Sequence, residues 1–556
     1  MAFSQIVGPA HSAAAFSEIL NPAHSVLGST LIALVPVAVL LLLLAVFRMS
    51  AWQAVIIGAI VTIVLGVTVW HAPLGATLKA YGIGAGSGFW SVDWIVFWGV
   101  IIYNTLVVTG AFDLFKNWLI DQATADIRVQ ALLIAWAFGA LLEGLVGFGY
   151  PWAVVAPLLI AFGIADLAAI RVAALANNAP VSFGALGAPI IGLATVTGLS
   201  VNDLSASIGK IVAILALAPP WILIYLVSGK RGFRTGWPLA LVASFGYILG
   251  QFPTSQYLGP YLPDVIGSLV CFAALLILLK FWRPKETLGF GGEVISPDRP
   301  PTVSADAPGS AREHVRRRAP IRALVPFGIL IVVVVAWTGP WSKLGSWVPL
   351  APAVSAISSL DHKATATSFK FAPFIAGTAI LVSWLLILLY LRPRGQQLRE
   401  VFRRTFTQMW GALLVGPLIF GLAGVYNFSG MANSMANGFS HLGTWFILVS
   451  PILGWIAVAL SGSNTSANAV FGQFQYSVAQ LIGAPLLLFP SLNSVGAEVG
   501  KPIAPQTASV GVATTKFVRN EGEVIRYNMG WTLVILAYLI LIGVFYFFVA
   551  PGAMRV

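Results

Sequence analysis

Two stretches of this sequence place helix-breaking residues inside long apolar segments. The first comprises LLEGLVGFGYP (Leu141 to Pro151) and ANNAPVSFGALGAPI (Ala176 to Ile190), and the second comprises LSGSNTSANAVFGQFQ (Leu460 to Gln475) and LNSVGAEVGKPIAPQT (Leu492 to Thr507). Gly, Pro, Asn and Ser interrupt helices, and lipid offers no water to an unpaired backbone group. Such breaks are tolerated at membrane depth only where they are buried in protein or line a cavity. The two stretches therefore predict two broken-helix blocks that together form a transport site.

The composition is that of a polytopic membrane protein. Hydrophobic residues make up 58% of the chain and charged residues 9%, and the mean hydropathy is +0.89. These values exclude a soluble protein. The net charge of +12 does not indicate a nucleic-acid partner, because the Lys and Arg residues cluster in short loops between apolar runs, as the positive-inside rule expects.

Several classes of protein are disfavoured by what the sequence lacks. Cys271 is the single cysteine, so neither a disulfide nor a cysteine metal site can form within one chain. The first 27 residues contain no Lys or Arg, which argues against a cleavable signal peptide. The sequence has no HExxH, Walker A or GxSxG motif, so we expect a secondary transporter without cofactor or metal, and not an enzyme. We interpret GIGAGSG (Gly82 to Gly88) as a flexible turn between spans.

The apolar runs predict an all-α polytopic membrane protein with about 12 to 14 transmembrane helices. Each half contains three spans, a broken or re-entrant block and a closing span, and the two halves enter the membrane from opposite sides, which predicts two inverted repeats. The predicted division is an extracytoplasmic segment 1–27, a first repeat 28–235, connecting spans 236–282, a disordered cytoplasmic linker 283–320 and a second repeat 321–556.

The repeat is also visible in local sequence. Gly187-Ala188-Pro189-Ile190 matches Gly500-Lys501-Pro502-Ile503, although short matches of this kind also arise by chance. We predict that the helices are interrupted at a set of Gly and Pro residues. The predicted breaks are Gly144, Gly147, Gly149, Pro151, Gly187, Pro189, Gly462, Gly500 and Pro502.

Glu143 is the carboxylate that most needs an explanation, because it ends the apolar run Ala131 to Leu142. An ionised carboxylate at the centre of a membrane helix costs about 2.5 to 3.5 kcal/mol on insertion scales, so it should be paired, hydrated or protonated. We predict that Glu143 carries the coupled proton. The structural alternative is a glutamate that accepts hydrogen bonds from backbone amides at a helix break.

Lys501 lies between two breaks of the second block. An ammonium group there would attract an anionic substrate, with help from the positive N-terminal ends of half-helices. The alternative is an internal ion pair between Lys501 and Glu498, which is one turn earlier.

Uncharged polar residues at the two breaks can bind a carboxylate and a neighbouring hydroxyl. For each of them, capping a helix is an equal alternative. The predicted substrate-binding residues are Lys501, Ser463, Asn464, Thr465, Asn468, Asn177, Asn178, Ser182, Gln506 and Tyr103. Asp93 lies close to a span end, where we expect an interfacial position. Arg171 could form a second anion site, but we favour a residue that extends its charge towards a membrane face.

The motifs LLEGLVGFGYPWAVVAPLL, ANNAPVSFGALGAPI, SGSNTSANAVFGQFQYSVAQLIG and GAEVGKPIAPQTASV resemble the L-lactate permease family over nearly the whole chain. The family's EGxxGFGxP pattern matches this sequence at Glu143, Gly144, Gly147, Phe148, Gly149 and Pro151. The family's APVxFGALGxPI pattern follows Asn178, SGSxTSxNxxFG covers Ser461 to Gly472, and GKxIxPQ covers Gly500 to Gln506. Asn464 occupies a position that is often Asp in the family, which removes one candidate cation or proton ligand.

The resemblance implies a multi-pass carrier of the bacterial cytoplasmic membrane that imports L-lactate, D-lactate and glycolate with a proton. The expected partners are a small 2-hydroxymonocarboxylate, a proton and the lipid bilayer, and a homodimer is one oligomeric state open to the chain. One alternative is a sodium-coupled di- or tricarboxylate carrier of similar fold, since carbonyls at a helix break can hold Na⁺. A second is a membrane-embedded enzyme for lipid-linked substrates, but no cluster of acid, base or metal-binding residues supports it.

Overall fold

The computed structural model describes residues 16–122, 124–147, 149–296, 319–513 and 520–555. These residues are helical apart from a small three-stranded sheet and the connecting turns, and one large hydrophobic core runs through nearly all of the helices, with a smaller cluster beside the sheet. Phe148, Lys516 and Arg519, as well as residues 297–318 of the predicted linker, lie outside the described residues.

The helices of the first half follow one another along the sequence with connections that are mostly short. Their bounds are α1 Val26–Ala45, α2 Ala51–Thr68, α3 Leu74–Ser87, α4 Trp94–Val108, α5 Ala111–Gln122, α6 Ile127–Gln130, α7 Gly139–Leu145, α8 Tyr150–Ala161, α9 Asp166–Ala176, α10 Gly184–Thr197, α11 Val201–Leu215, α12 Pro219–Thr235, α13 Trp237–Tyr257 and α14 Pro263–Phe281. Two π-helical segments, Gly88–Asp93 and Ala131–Phe138, join α3 to α4 and α6 to α7.

The second half has fewer and longer helices. Their bounds are α15 Ala319–Thr338, α16 Ala376–Leu391, α17 Gly395–Phe428, α18 Met431–Ser440, α19 Phe446–Ser461, α20 Asn464–Ile482, α21 Leu488–Gly500, α22 Pro505–Val512 and α23 Glu521–Phe548. A 3-10 turn, Lys501–Ile503, follows α21 directly.

The expected all-helical membrane fold is confirmed. Within the described ranges, 9 helices are long and apolar enough to cross a membrane, or up to 10 if one bent pair counts as a span. That pair joins Asp166–Ala176 to Val181–Thr197 at an angle of 68°. The sequence estimate of about 12 to 14 passes also included short and broken helices, which this length criterion leaves out. The inverted symmetry and the domain bounds stay predictions.

The segment GIGAGSG is helical, so its interpretation as a flexible turn was wrong. Gly82 and Gly84 lie inside α3, and Gly88 begins the π-helical segment that continues towards α4. A Cβ atom at Gly84 would overlap the backbone of Phe420 in α17, and one at Gly88 would lie 2.8 Å from the carbonyl oxygen of Gly416. These glycines therefore allow α3 and α17 to approach closely, as small residues do between membrane helices.

The two predicted blocks share one order of elements. In the first, α7 is followed by a break, α8, a turn, α9, a second break and α10; in the second, α19 is followed by a break, α20, a turn, α21, a second break and α22. Gly147 and Gly149 have positive φ angles of 66° and 79° in the first break, and Gly462 has 72° between α19 and α20. Each of these three positions requires a backbone conformation that glycine adopts without strain.

The remaining predicted break residues lie at or near helix ends or in the kink of α10. Pro151 is in the first turn of α8, Gly500 is the last residue of α21, and Pro502 lies in the 3-10 turn after it. Gly144 is the penultimate residue of α7, next to the first break. A glycine is needed there for packing, because a Cβ atom would be 2.7 Å from the Cβ atom of Asp264.

The start of α10 is kinked by three consecutive residues in the left-handed conformation. Ala185, Leu186 and Gly187 have φ angles of 46°, 56° and 79°, and Pro189 follows two residues later. For residues other than glycine this conformation costs about 1 to 2 kcal/mol each. Strain of this kind is found at functional sites, where the surrounding structure imposes it.

The sheet lies outside the membrane-spanning helices and was not expected from the sequence. Strand β1 (Phe16–Ser17) pairs in parallel with β2 (Ala353–Ile357), which pairs antiparallel with β3 (Ala364–Ser368). The neighbouring Glu18 accepts hydrogen bonds from Asn433 Nδ2 at 2.8 Å and from the Ser359 amide at 3.1 Å. The sheet therefore ties the N-terminal segment to the second half of the chain.

The predicted disordered linker is ordered at its beginning. Leu288 forms a β-bridge with Val294, and its carbonyl accepts from the Ile127 amide at 2.9 Å. The fully buried Arg128 donates to Asp126 and, at 2.8 Å, to the carbonyl of Glu286. Residues 286–295 are thereby held against the start of α6, which corrects the prediction for this part.

Candidate functional site

Glu143 and Lys501 form a buried ion pair between the two broken blocks. The Lys501 Nζ atom is 2.7 Å from Glu143 Oε1, and the side chains are 5% and 2% exposed. Asn177 Nδ2 donates to the other carboxylate oxygen at 2.9 Å. The alternative in which Lys501 pairs with Glu498 is therefore wrong for this conformation, as is the alternative in which backbone amides hold Glu143.

The pair is positioned by the ends of two helices. Glu143 lies in the last turn of α7, and Lys501 opens the 3-10 turn after α21. Gly184, at the start of α10, faces Glu143 so closely that a Cβ atom would be 2.6 Å from Oε1. Glycine at this position thus leaves the room that the carboxylate occupies.

A second contact between the blocks surrounds Ser182. Its amide donates to Glu498 Oε1 at 2.6 Å, and its hydroxyl lies 2.9 Å from Ser494 Oγ. Asn464 Nδ2, in the first turn of α20, is 3.4 Å from the same hydroxyl. Glu143, Lys501 and Asn464 are thus linked into one buried region, as the shared-site hypothesis requires.

The two contacts join corresponding parts of the blocks. Glu143, at the end of α7, meets Lys501 in the break after α21; Asn464, the first residue of α20, meets Ser182 in the break after α9. Each block therefore contributes a residue beside its first break to one contact and a residue of its second break to the other.

Asn468 holds the blocks together without facing a cavity. It is fully buried, and its amide donates at 3.0 Å to both the carbonyl of Pro189 and the hydroxyl of Ser494. Asn493 Nδ2 donates to the Asn468 carbonyl oxygen at 3.0 Å. All of its polar atoms have protein partners, which favours a packing role over substrate contact.

Other polar atoms in this region lack partners among the residues that the structure describes. Both amide atoms of Asn178 are buried and unpaired, as are Asn177 Oδ1, Asn464 Oδ1 and Glu498 Oε2. Unpaired buried polar groups are rare and costly, and in a native structure each of them needs an explanation. Four of these five atoms are oxygens that accept hydrogen bonds, so they need a donor such as a hydroxyl group or water, whereas the Asn178 amide nitrogen can donate to an acceptor on a ligand.

The first break of the second block opens into a cavity of about 610 Å³, which we call the Ser463 cavity. It lies between α2, α17 and the breaks around α19 and α22. Of the predicted residues, Gly462, Ser463, Thr465 and Gln506 line it. Ser463 also caps α20 by accepting from the Ser466 amide at 3.2 Å, so capping and exposure to the cavity coexist at this residue.

Tyr103 does not line the Ser463 cavity but supports one of its walls. Its ring packs edge-on against Tyr150 at 5.9 Å and Phe112 at 5.4 Å. Tyr150 lines the cavity, so Tyr103 contacts the cavity wall through Tyr150 and not the cavity itself. The neighbouring Asn104 donates to Thr405 Oγ1 and Gln408 Oε1, both at 2.9 Å, and thereby joins α4 to α17.

Two buried carboxylates near the site were missed from the sequence. Asp264, at the start of α14, accepts from the Tyr247 hydroxyl at 2.7 Å and packs against Gly144. Asp93 ends the π-helical segment before α4 and is only 6% exposed, so its predicted interfacial position was wrong. Neither carboxylate is in a recognisable motif, and only a structure shows that both are buried.

Arg171 makes contacts within the protein that do not favour a second anion site, and its interfacial position stays a prediction. Its guanidinium lies over the ring of Tyr527 and donates to the backbone carbonyl of the same residue. It therefore fastens α9 to the start of α23.

The sequence matches a known family over almost its entire length. A family model described as L-lactate permease covers residues 29–551. The chain belongs to the L-lactate permease family. It is therefore a multi-pass membrane transporter and not an enzyme, as the motifs and the composition had indicated.

Characterised members of the L-lactate permease family align with nearly the full chain. The glycolate permease GlcA of Escherichia coli K12 is 34% identical over 552 residues, which cover 94% of this chain and 96% of that protein. The L-lactate permease of Bacillus subtilis 168 is 32% identical over 92% of this chain and 95% of its own length. The L-lactate permease of Salmonella typhimurium LT2 is 30% identical over 91% and 93%.

Proposed function

We propose that this permease imports L-lactate, D-lactate and glycolate across the bacterial cytoplasmic membrane together with a proton. The observation that carries the proposal is the buried pair of Glu143 and Lys501, in which one acidic and one basic group hold each other at 2.7 Å between the two blocks. The names of the relatives, a glycolate permease and several L-lactate permeases, support the substrate class.

Lys501 provides one positive charge for one substrate carboxylate. Among the described residues the buried basic side chains are Arg128 and Lys501, and Arg128 is already held by both oxygens of Asp126. A single ammonium group can balance a monocarboxylate but not a di- or tricarboxylate. This favours a 2-hydroxymonocarboxylate over the substrates of the alternative carrier.

Substrate and proton are coupled because the substrate competes with Glu143 for Lys501. When the substrate carboxylate takes the ammonium group, Glu143 keeps only the hydrogen bond from Asn177. An unpaired carboxylate in this buried position is unfavourable, so it takes up a proton. The loaded site then carries the same net charge as the empty site.

Protonation of Glu143 lowers the free energy needed to move the substrate across the membrane. A 2-hydroxy acid is an anion at neutral pH, and moving one negative charge against the membrane potential costs roughly 2.3 kcal/mol per 100 mV. A proton on Glu143 removes this cost and adds the energy of the pH gradient. The unpaired amide groups of Asn178 and Asn464 are available to the substrate hydroxyl.

Access to the pair requires movement of the blocks. Neither Glu143 nor Lys501 lines the Ser463 cavity or a second cavity of about 460 Å³ that contains Glu18, which we call the Glu18 cavity. Successive parts of α17 line the two cavities, Gln408 to Ile419 the first and Phe420 to Phe428 the second. We propose that the inverted blocks alternately connect the pair to one cavity and then to the other.

The test is uptake of labelled L-lactate into proteoliposomes that contain the purified protein. We expect accumulation when the outside is acidic and none when only a sodium gradient is imposed. Glu143→Gln should lose pH-driven accumulation but keep exchange of labelled for unlabelled lactate. Sodium-driven accumulation, or full pH-driven accumulation by Glu143→Gln, would contradict the proposal.

Lys501→Met tests the anion site, and Lys210→Met is its matched control. Lys210 also lies in a helix, but its ammonium group donates to the carbonyl of Ala553 at 2.7 Å, away from the pair. We expect Lys501→Met to lose at least about tenfold in apparent lactate affinity and Lys210→Met to stay close to wild type. Unchanged affinity in Lys501→Met would dismiss the anion site.

A further inference from the structure

The Ser463 cavity contains one acidic side chain that the mechanism above does not use. Asp93 lines this cavity together with Ser463, Thr465 and Gln506. It is 6% exposed, and its Oδ2 atom has no hydrogen-bond partner among the described residues. It also belongs to none of the ion pairs that the described residues form.

The backbone around Asp93 places its carboxylate at the wall of the Ser463 cavity. Asp93 ends the π-helical segment Gly88–Asp93, and π-helical turns inside α-helices frequently mark functional sites. Gly416 of α17 faces the carboxylate, and a Cβ atom on Gly416 would overlap both of its oxygens. The absence of a side chain at position 416 thus leaves the room that the carboxylate needs.

Among the residues that the structure describes, no fixed positive charge balances Asp93. Tyr150 is the other titratable side chain among the described residues of the cavity wall. The elements packed against the π-helical segment are α3, α4, α10 and α17, and the titratable groups on them are Lys79, Tyr81, Tyr103, Arg399, Glu400, Arg403, Arg404 and Tyr426. Lys79 is exposed, and Arg404 is 12 residues before Gly416, about 18 Å along the helix.

A substrate anion in this cavity would be attracted to the start of α20. The N-terminal end of α20 next to Thr465 carries the positive end of the helix dipole, and Gln506 offers an amide. An ionised Asp93 on the same cavity would repel that anion without any cation to compensate. The cavity therefore accepts a carboxylate only while Asp93 is neutral.

We propose that Asp93 is a further proton-binding residue of the transport cycle, and that substrate occupies the Ser463 cavity only while Asp93 holds a proton. This inference rests on the proposed function, because it takes the substrate to be a monocarboxylate. It assigns to Asp93 a role distinct from that of Glu143: Glu143 exchanges its ion pair for a proton, whereas Asp93 controls whether the cavity is occupied.

The test compares the pH dependence of lactate exchange in two variants at equal pH on both sides of the membrane. Glu143→Gln removes the titration of Glu143, and Glu143→Gln/Asp93→Asn removes both acids. We expect exchange by the first variant to fall at least about tenfold between about pH 6 and about pH 9, and exchange by the second to fall less than about threefold. Adding Asp113→Asn instead is the control, since Asp113 is exposed and paired with Lys116.

A second substitution separates titration from folding. Glu143→Gln/Asp93→Glu keeps an ionisable group and should keep the fall in exchange at alkaline pH, with a shifted midpoint. A flat profile in Glu143→Gln, or an unchanged fall in the Asp93→Asn variant, would overturn the inference. Failure of the wild-type protein to accumulate lactate in a pH gradient would instead count against the proposed function.

Discussion

Glu143 and Lys501 are 358 positions apart in the sequence and 2.7 Å apart in the structure. Their ion pair joins the end of α7 to the break after α21, so it connects the two broken blocks directly. Because both side chains are almost completely buried, each charge depends on the other for its stability.

The pair predicts non-additive effects on stability. Lys501→Met leaves the Glu143 carboxylate buried and uncompensated, and breaking a buried pair from one side costs about 3 to 5 kcal/mol. Glu143→Gln/Lys501→Met should recover most of this loss, because no unpaired charge remains. Thermal unfolding of the purified variants in detergent provides the measurement. Additive losses in the double variant would show that the two side chains do not act as a pair.

Gln506 allows a test of substrate contact at a position where a substitution should have little effect on folding. It is exposed to the Ser463 cavity, so Gln506→Ala should leave folding intact and raise the KM for lactate about fivefold to tenfold, the effect of one lost hydrogen bond. Gln53→Ala is the control, since Gln53 is exposed but does not line the cavity. An equal change in both variants would argue against substrate contact at Gln506.

The close approach of α3 and α17 predicts a contrast between neighbouring glycines. Gly84→Ala places a methyl group against the backbone of Phe420 and should cost about 1 to 3 kcal/mol. Gly82→Ala, two residues earlier in the same helix, meets no atom within 4 Å and should be neutral or stabilising by up to about 1 kcal/mol. Apparent melting temperatures distinguish the two, and equal values would contradict the packing described here.

Glu18 predicts a pH effect outside the membrane-spanning helices. Burial raises the pKa of Glu18 above its ordinary value of 4.5, despite hydrogen bonds from Ser359 and Asn433 that favour the ionised form. The folded state therefore binds this proton more tightly than the unfolded state does. The resulting stability is fully present below pH 4.5 and is lost as the pH rises through the higher folded-state pKa.

Glu18→Gln removes this titration. The melting temperature of the variant relative to wild type should rise between acidic and neutral pH, whereas the exposed Glu293→Gln should show no such trend. A difference between Glu18→Gln and wild type that does not change with pH would contradict a raised pKa at Glu18.

Local sequence was sufficient to find the two blocks and several of their breaks. Gly147, Gly149 and Gly462 stand where the backbone takes positive φ angles, and glycine inside an apolar run is a direct sign of such a position. Glu143 and Lys501 were recognisable for a similar reason, because a charge among apolar residues needs a partner. Their mutual pairing was not recognisable, since the sequence contains no distance between positions so far apart.

Other features depend on packing that leaves no local signal. The glycines of GIGAGSG are typical of a turn when viewed alone, and only the neighbouring backbone of α17 explains why they are helical. Asp93 and Asp264 lie near helix ends, where an acidic residue is ordinarily exposed, and both are buried by helices distant in sequence. The sheet was missed because β1 is two residues long and pairs with a strand more than 300 residues later.

The central claim is that the substrate carboxylate displaces Glu143 from Lys501 and that Glu143 then takes up a proton. Infrared difference spectroscopy of the purified protein, recorded as L-lactate is added, tests it most directly. Asp93→Asn serves as the background, because it removes the other proposed proton-binding acid. We expect a new carbonyl band of a protonated carboxylic acid in Asp93→Asn and no such band in Glu143→Gln/Asp93→Asn. An Asp93→Asn spectrum without the band, or a band that persists in Glu143→Gln/Asp93→Asn, would contradict the claim.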